Sequence, residues 1–285
     1  MTRRCNYRCS YCIASSTVSN RAETPEQEKK RILFQSAEIG KLIRNLDGDV
    51  DSVRVTLIGG EISLLPVGLV KEAIRNIFSE KVKRVIFVTN LSAPASWYKE
   101  IKELCDSLGA QLNITASFHE EFVPLRAFLA KSIEMGRLLN NESSRTRFTT
   151  SFVITKSNIG TVAKAFVEEM DKAGILYVIN YNRRESWAAD EKIYSSNTSR
   201  VTEKRCLAIN SEDTFGYECR SYQTFIKEDG FLSSSYCNSC VPTGILGMTD
   251  KVGPAVTICK EHRCSCCGKR RITRPDGSVY YENLK

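Results

Sequence analysis

Cys5-Asn6-Tyr7-Arg8-Cys9-Ser10-Tyr11-Cys12 packs three thiols into eight residues, spaced C-x3-C-x2-C, with an aromatic residue before the last. Three thiolates from one short loop can hold three irons of a cubane cluster, and the fourth iron then has no protein ligand from that loop. An iron with an open position can bind and activate a small molecule, whereas a cluster with four Cys ligands mainly carries electrons. The alternatives are a zinc knuckle and a disulfide loop. Structural zinc normally takes four protein ligands, and no fourth Cys or His stands in this loop. The cluster is therefore the expectation.

Outward from the loop, helical and strand patterns alternate. Residues 13–23 are polar and extend the loop. Thr24-Pro25-Glu26-Gln27 supplies an N-cap, a Pro at the first helical position and a capping-box Gln, and the helix runs to about Leu46. A strand, Val53 to Ile58, ends in Gly59-Gly60-Glu61, where two glycines let the backbone come close to a ligand. Helices are expected at about 66–80, 95–108, 124–140 and 161–173. Strands are expected at 85–88 (ending in Thr89-Asn90), 112–119, 148–155 and 175–181. Such alternation predicts a parallel sheet wrapped by helices. Polar residues at strand carboxyl ends face the site of a barrel. Ser117, His119 (one of two histidines), Arg183 and Arg184 stand at such ends. His119 and Arg183 are the candidates for substrate contact or proton transfer, against a structural hydrogen bond for His119 and a solvated loop charge for Arg183. Cys105 falls on an apolar helix stripe and reads as a core thiol.

The loop and its surroundings resemble the radical S-adenosylmethionine enzymes. The C-x3-C-x2-C spacing with Tyr11 before Cys12 is similar to that family's signature, and Gly59-Gly60-Glu61 is similar to its glycine-rich motif, with Ile62 where Pro is frequent. Thr89-Asn90 resembles its Thr-Asn-Gly turn, with Leu91 in place of Gly. The resemblance implies a [4Fe–4S] cluster on Cys5, Cys9 and Cys12, with S-adenosylmethionine chelated to the open iron. It implies cofactor contacts from Gly59, Gly60, Glu61, Thr89, Asn90 and Ser117. One electron would cleave the sulfonium and release a 5′-deoxyadenosyl radical that abstracts hydrogen from substrate; an external donor such as flavodoxin or ferredoxin would supply that electron. The implied fold is α/β, a partial (β/α)6 TIM-like barrel over residues 1–184. At most Met1–Arg4 could supply its first strand, so either the natural start lies upstream or the barrel opens on a very short strand.

Eight of the twelve cysteines lie between Cys206 and Cys267. After a linker at 185–205, residues 206–285 read as a small cysteine-rich α+β domain. A strand is expected at Tyr222 to Ile226, a hairpin at Glu228-Asp229-Gly230, and a last hairpin around Pro275-Asp276-Gly277. This layout resembles the auxiliary-cluster domain called SPASM in its full form and twitch in its short form. The departing cysteine spacing favours one auxiliary [4Fe–4S] cluster, with Cys219, Cys237, Cys259 and Cys264 as the ligand set; Cys266, Cys206 and Cys240 are alternatives. A zinc ribbon on Cys237, Cys240, Cys264 and Cys266 or Cys267 is the competing reading.

Composition bounds the rest. The 285 residues carry a net charge of +8, 42% hydrophobic and 26% charged residues, ordinary for a globular protein. No apolar run suits a membrane span and no secretory signal is visible. Clustered cysteines without such a signal imply a reducing cytoplasm. The basic excess admits an acidic partner; because it is scattered, a nucleic acid is not expected. The resemblance makes a peptide or protein side chain the leading substrate, with oxidation or cross-linking as the outcome. A sugar or nucleotide derivative is the runner-up, and a non-catalytic zinc or nucleic-acid-binding module is the competing class.

Overall fold

The computed structural model describes residues 2, 4–12, 23–48, 50–139, 146–182, 185, 194–197, 215–221, 224–227, 229–233, 242–250, 252, 255–259 and 269–282. The chain divides into two compact units, Met1–Ala37 with Val50–Thr198, and Glu38–Asp49 with Ser199–Lys285.

In the first unit five strands form one all-parallel sheet in chain order: β1 Val53–Leu57, β2 Val82–Thr89, β3 Gln111–Phe118, β4 Arg147–Ile154 and β5 Tyr177–Tyr181. Helices α2 Val67–Ile77, α3 Ala95–Ser107, α4 Leu125–Leu139 and α5 Thr161–Lys172 connect them. The sheet curls into a half-barrel, the partial TIM-like architecture expected. Of Met1–Arg4, where at most a very short first strand could stand, Thr2 and Arg4 are described: their carbonyls accept from the N–H groups of Gly60 and Glu61, both at 2.7 Å, beside the residues that follow β1.

Period-two alternation separates the two faces. Leu112, Ile114, Ala116 and Phe118 of β3 are buried toward the helices. There Phe118, Phe152 and Phe166 pack with ring centroids 5.0–5.7 Å apart, and Phe118 also meets Phe128 at 5.1 Å. Each such aromatic pair adds about 1 kcal/mol beyond its area burial. The opposite, concave face presents Thr115, Ser117, Thr149 and Ser151, which follows from the register of β3 and β4.

Helix α1, Pro25–Arg44, begins with the expected capping box. The Thr24 N–H donates to the Gln27 side-chain oxygen at 2.9 Å, and Thr24 Oγ1 accepts from the Gln27 N–H at 3.2 Å. Its first turns belong to the first unit and its last turns to the second, a division that composition does not reach.

In the second unit, β6 Glu218–Ser221 sits between β10 Ala255–Ile258 and β11 Lys269–Thr273, and β12 Val279–Glu282 follows β11. A three-stranded sheet joins β7 Phe225–Ile226, β8 Phe231–Ser233 and β9 Pro242–Ile245. The Asp229-Gly230 hairpin and the hairpin around Pro275-Asp276-Gly277 both form. Of the strand expected at Tyr222 to Ile226, β7 covers Phe225–Ile226 and Cys219 lies inside the preceding β6, while Tyr222 and Gln223 lie outside the described residues. A small core of Leu42, Leu232 and Leu246 closes against Ile39, Ile226 and Val252.

Candidate cluster and cofactor site

The cysteine loop is held from two directions. On one side, Glu61 follows β1 and is buried. Its Oε1 accepts from the Ser63 N–H at 2.9 Å and from Thr89 Oγ1 at 2.7 Å, and its Oε2 accepts from the Asn90 N–H at 2.6 Å. One carboxylate thus ties the ends of β1 and β2 together. Asn90 Nδ2 then donates to Asn6 Oδ1 at 2.9 Å, and Asn6 Nδ2 donates to Ser92 Oγ at 2.9 Å. Glu28 of α1, also buried, accepts from Thr2 Oγ1 and pairs with Arg4.

On the other side, the residues after β3 form a clamp. The Ser10 N–H donates to Glu121 Oε2 at 2.9 Å, and Ser10 Oγ donates to Glu121 Oε1. Tyr7 and Phe122 stack with centroids 4.8 Å apart and planes within 7°. His119 Nδ1 lies 3.2 Å from Cys9 Sγ and 3.1 Å from Tyr11 OH. Asn6, Glu121 and Phe122 were not singled out as site residues from the sequence. The available signal was their place, in the loop itself and in the polar turn after a barrel strand.

Within the loop the Cys12 N–H donates to the Cys9 carbonyl at 3.1 Å. Cys9 is buried, and Cys5 and Cys12 are half-buried. Burial pushes the Cys9 thiol up to about 12, with the charges of Cys12, Glu121 and Cys5 adding to it. Burial raises Cys5 as well. Crowded thiolates beside a carboxylate call for positive charge among them, and soft sulfur donors suit iron. The donor set therefore fits an iron–sulfur cluster. Among the described residues no three His, Cys, Asp or Glu side chains close around a single-ion position. A cubane binds each thiolate to a different iron, and so asks for wider spacing than the about 3.8 Å between thiolates sharing one zinc.

Gly59 has φ 149°, a conformation an L side chain rarely adopts. Gly59, Gly60, Glu61, Thr89 and Asn90 are thus gathered beside the loop. Ser117 sits lower on the concave face, with its hydroxyl 3.1 Å from that of Ser151. Arg183 and Arg184 lie outside the described residues, as do Cys206, Cys237, Cys240, Cys264, Cys266, Cys267 and His262. Cys105 is buried in the helix layer, as a core thiol. In the second unit, Cys219 opposes Thr257 across β6 and β10, so by register Cys259 falls on the same face, one diagonal step away. Both thiols are buried, and diagonal positions lie about 7–8 Å apart.

Two predictions arise here. Burial lowers His119 from 6.5 to about 4, against the opposing pull of Glu121. The folded chain thus holds His119 neutral while the unfolded chain takes up a proton below its ordinary value. Metal-free protein should lose stability as pH falls from about 6.5 to about 4, by about 1–2 kcal/mol after allowance for partial exposure. Urea melts of wild type and His119→Gln check this, the variant showing the flatter profile. Leu91, which stands in place of the Gly of the turn it resembles, has φ 60° and is buried. Leu91→Gly relieves about 1–2 kcal/mol of backbone strain but forfeits about 2–5 kcal/mol of packing and loosens the unfolded chain. Net destabilisation of about 1–4 kcal/mol is expected in the same melts.

The family model described as Radical SAM superfamily matches residues 1–123. The matched segment contains the cysteine loop, Glu61, Asn90 and the β3 clamp. A solved structure titled "Native anSMEcpe with bound AdoMet" is similar in fold. It has a TM-score of 0.57 and 12% sequence identity, over 86% of this chain and 75% of that one. No curated protein matches. Among the described residues no helix is long and apolar enough to cross a membrane.

Proposed function

We propose that this chain is a radical S-adenosylmethionine enzyme, with its catalytic [4Fe–4S] cluster on Cys5, Cys9 and Cys12. The observation that carries the reading is the seating of the cysteine loop against the carboxyl ends of β1, β2 and β3, inside the segment that matches the radical SAM family. When bound, the cluster and S-adenosylmethionine supply a one-electron cleavage of the sulfonium to a 5′-deoxyadenosyl radical that takes hydrogen from substrate.

The protein's own part is orientation. Glu121 and Phe122 fix the loop against the carboxyl end of β3. Glu61 is spent on holding the strand ends, which leaves the backbone of Gly59-Gly60-Glu61 to receive the amino group of S-adenosylmethionine. Asn90 and Ser117 line the remaining contacts. His119 stands within hydrogen-bond reach of Cys9 and Tyr11.

Residues 1–184 form the barrel domain in this reading, 185–205 a linker and 206–285 an auxiliary-cluster domain of the SPASM/twitch kind. The shared face and burial of Cys219 and Cys259 support a second [4Fe–4S] cluster there, completed by Cys237 and Cys264. A peptide or protein side chain is the leading substrate, with oxidation or cross-linking as outcome. An external donor such as flavodoxin or ferredoxin delivers the electron in a reducing cytoplasm. A small-molecule substrate, a sugar or nucleotide derivative, is the second reading. The test is anaerobic reconstitution followed by iron and sulfide analysis and an S-adenosylmethionine cleavage assay with reductant. About eight irons per chain and release of 5′-deoxyadenosine support the whole reading. About four irons with one zinc keep the radical chemistry and make the C-terminal site structural; uncleaved S-adenosylmethionine sinks the proposal.

A further inference from the structure

The concave face of the half-barrel is charged at its amino-terminal end. Arg54 of β1 stands directly opposite Arg84 of β2, and Arg84 opposite Gln111 of β3. Two residues further along β3, Asn113 stands opposite Arg147 of β4. That these side chains share the inner face follows from the alternation: Val55 and Leu57 line an apolar cavity with Ile74 and Ile77 of α2, on the outer face.

Two guanidinium groups therefore stand directly opposed on adjacent strands, and Arg147, across β3, is near enough for its charge to act on Arg84. Inner-face positions of the five strands carry no Asp or Glu: they are Arg54, Thr56, Arg84, Ile86, Val88, and the Gln, Asn, Thr, Ser and Val positions of β3 to β5 beside Arg147. Among the described residues none of the three arginines makes an ion pair. Arg84 donates to Gln111 Oε1 at 2.7 Å, which positions the guanidinium and leaves its charge uncompensated. Like charges directly opposed on adjacent strands, about 4.8 Å apart, are destabilising. Burial and the charges of Arg54 and Arg147 lower the Arg84 pKa, a sign of the same repulsion. Asn113, between Arg84 and Arg147, has a buried Oδ1 with no hydrogen-bond partner. With its amide turned over, it offers donors to the same space.

We infer that the amino-terminal end of this concave face is a binding site for a phosphoryl anion of the diphosphate type, held by Arg54, Arg84 and Arg147 with Gln111 and Asn113 beside them. Guanidinium forks match phosphoryl oxygens bidentately. Three cations with no acidic neighbour call for a ligand with several negative charges, which a lone carboxylate lacks. The face lies about five residues, or roughly 16 Å, below the strand ends that hold the cysteine loop, so it is separate from the cluster site. The inference rests on the fold alone and stands whether or not the radical chemistry does.

The test is calorimetric titration of the full chain with inorganic pyrophosphate, ADP and AMP, in wild type, Arg84→Gln, Arg147→Gln and a control, Lys99→Gln, on the exposed face of α3. Saturable pyrophosphate binding is expected, weakened about tenfold or more by either arginine change and unchanged in the control. Free diphosphate as the ligand predicts pyrophosphate tighter than ADP; a diphosphate ester predicts the reverse, with AMP weakest in both. Without anion, Arg84→Gln should melt at or above the wild-type temperature, because it removes repulsion. No saturable binding, equal binding by Arg84→Gln and the control, or a lower melting temperature for Arg84→Gln in anion-free buffer would overturn the inference.

Discussion

Cys9→Ser should strip about four irons from the reconstituted protein and reduce S-adenosylmethionine cleavage to background, while leaving the metal-free chain folded. Cys9 is the most buried of the three loop thiols, and its Sγ lies 3.2 Å from His119. A Ser in its place keeps a polar contact to His119 and costs the metal-free fold little. It removes one of three soft ligands, and a cubane held by two has lost the geometry that leaves a single open iron. Iron and sulfide analysis beside a thermal melt of the metal-free variant reads both halves. Full iron retention with normal cleavage would show that the loop is not the cluster site. If the second unit holds its own cluster, about four irons remain in the variant, and Cys219→Ser should remove those and spare the cleavage reaction.

The second large effect is at Glu61. Its carboxylate takes hydrogen bonds from Ser63, Thr89 and Asn90 in a buried position. Glu61→Ala leaves three donors without that acceptor, at about 1–3 kcal/mol each. Thr89 Oγ1 keeps the Tyr98 hydroxyl at 3.0 Å as a substitute partner, so the expected loss is about 3–5 kcal/mol. Glu61→Gln keeps the shape and one acceptor but turns an amide group toward a donor, and should fall between. A denaturant melt of metal-free protein decides the role. A carboxylate used only to meet the cofactor's amino group predicts unchanged stability and lost binding. A carboxylate that ties β1 to β2 predicts a large stability loss before any ligand is added.

These two residues also mark what could be read from the chain. The C-x3-C-x2-C spacing is local, and so are the periodicities of the helices, whose observed ends fall within about three residues of those expected. The strand that was expected from the short run 85–88 is longer, Val82–Thr89, because Lys83 and Arg84 look like loop residues until a parallel neighbour pairs with them. At Met1–Arg4 the sequence allowed either an upstream start or a very short strand, and Thr2 and Arg4 make backbone hydrogen bonds to Gly60 and Glu61. Glu61 was legible as a motif but not as a tie between strands, since its partners at Thr89 and Asn90 are set by sheet order. Glu121 and Phe122 were invisible as a clamp because their contacts to Ser10 and Tyr7 span more than 100 residues. The arginines of the inner face were equally hidden, their meeting being a matter of register.

The clamp on the cysteine loop has a consequence for how the protein is made. Ser10 leaves the ribosome before its partner Glu121, which is 111 residues later in the chain. At a synthesis rate of about 5–20 residues per second, the three thiols wait roughly 6–20 seconds before their seat can exist. Parallel pairing is intrinsically slow, which lengthens that interval. During it the thiols are accessible to oxidants and to stray metals. Biogenesis of the loaded protein is thus ordered by topology: the ligands come first, the fold second, and the metal is best delivered last. Pulse-labelling stalled nascent chains with a thiol reagent should find Cys9 reactive in chains ending before β3 and protected in chains that extend past the clamp.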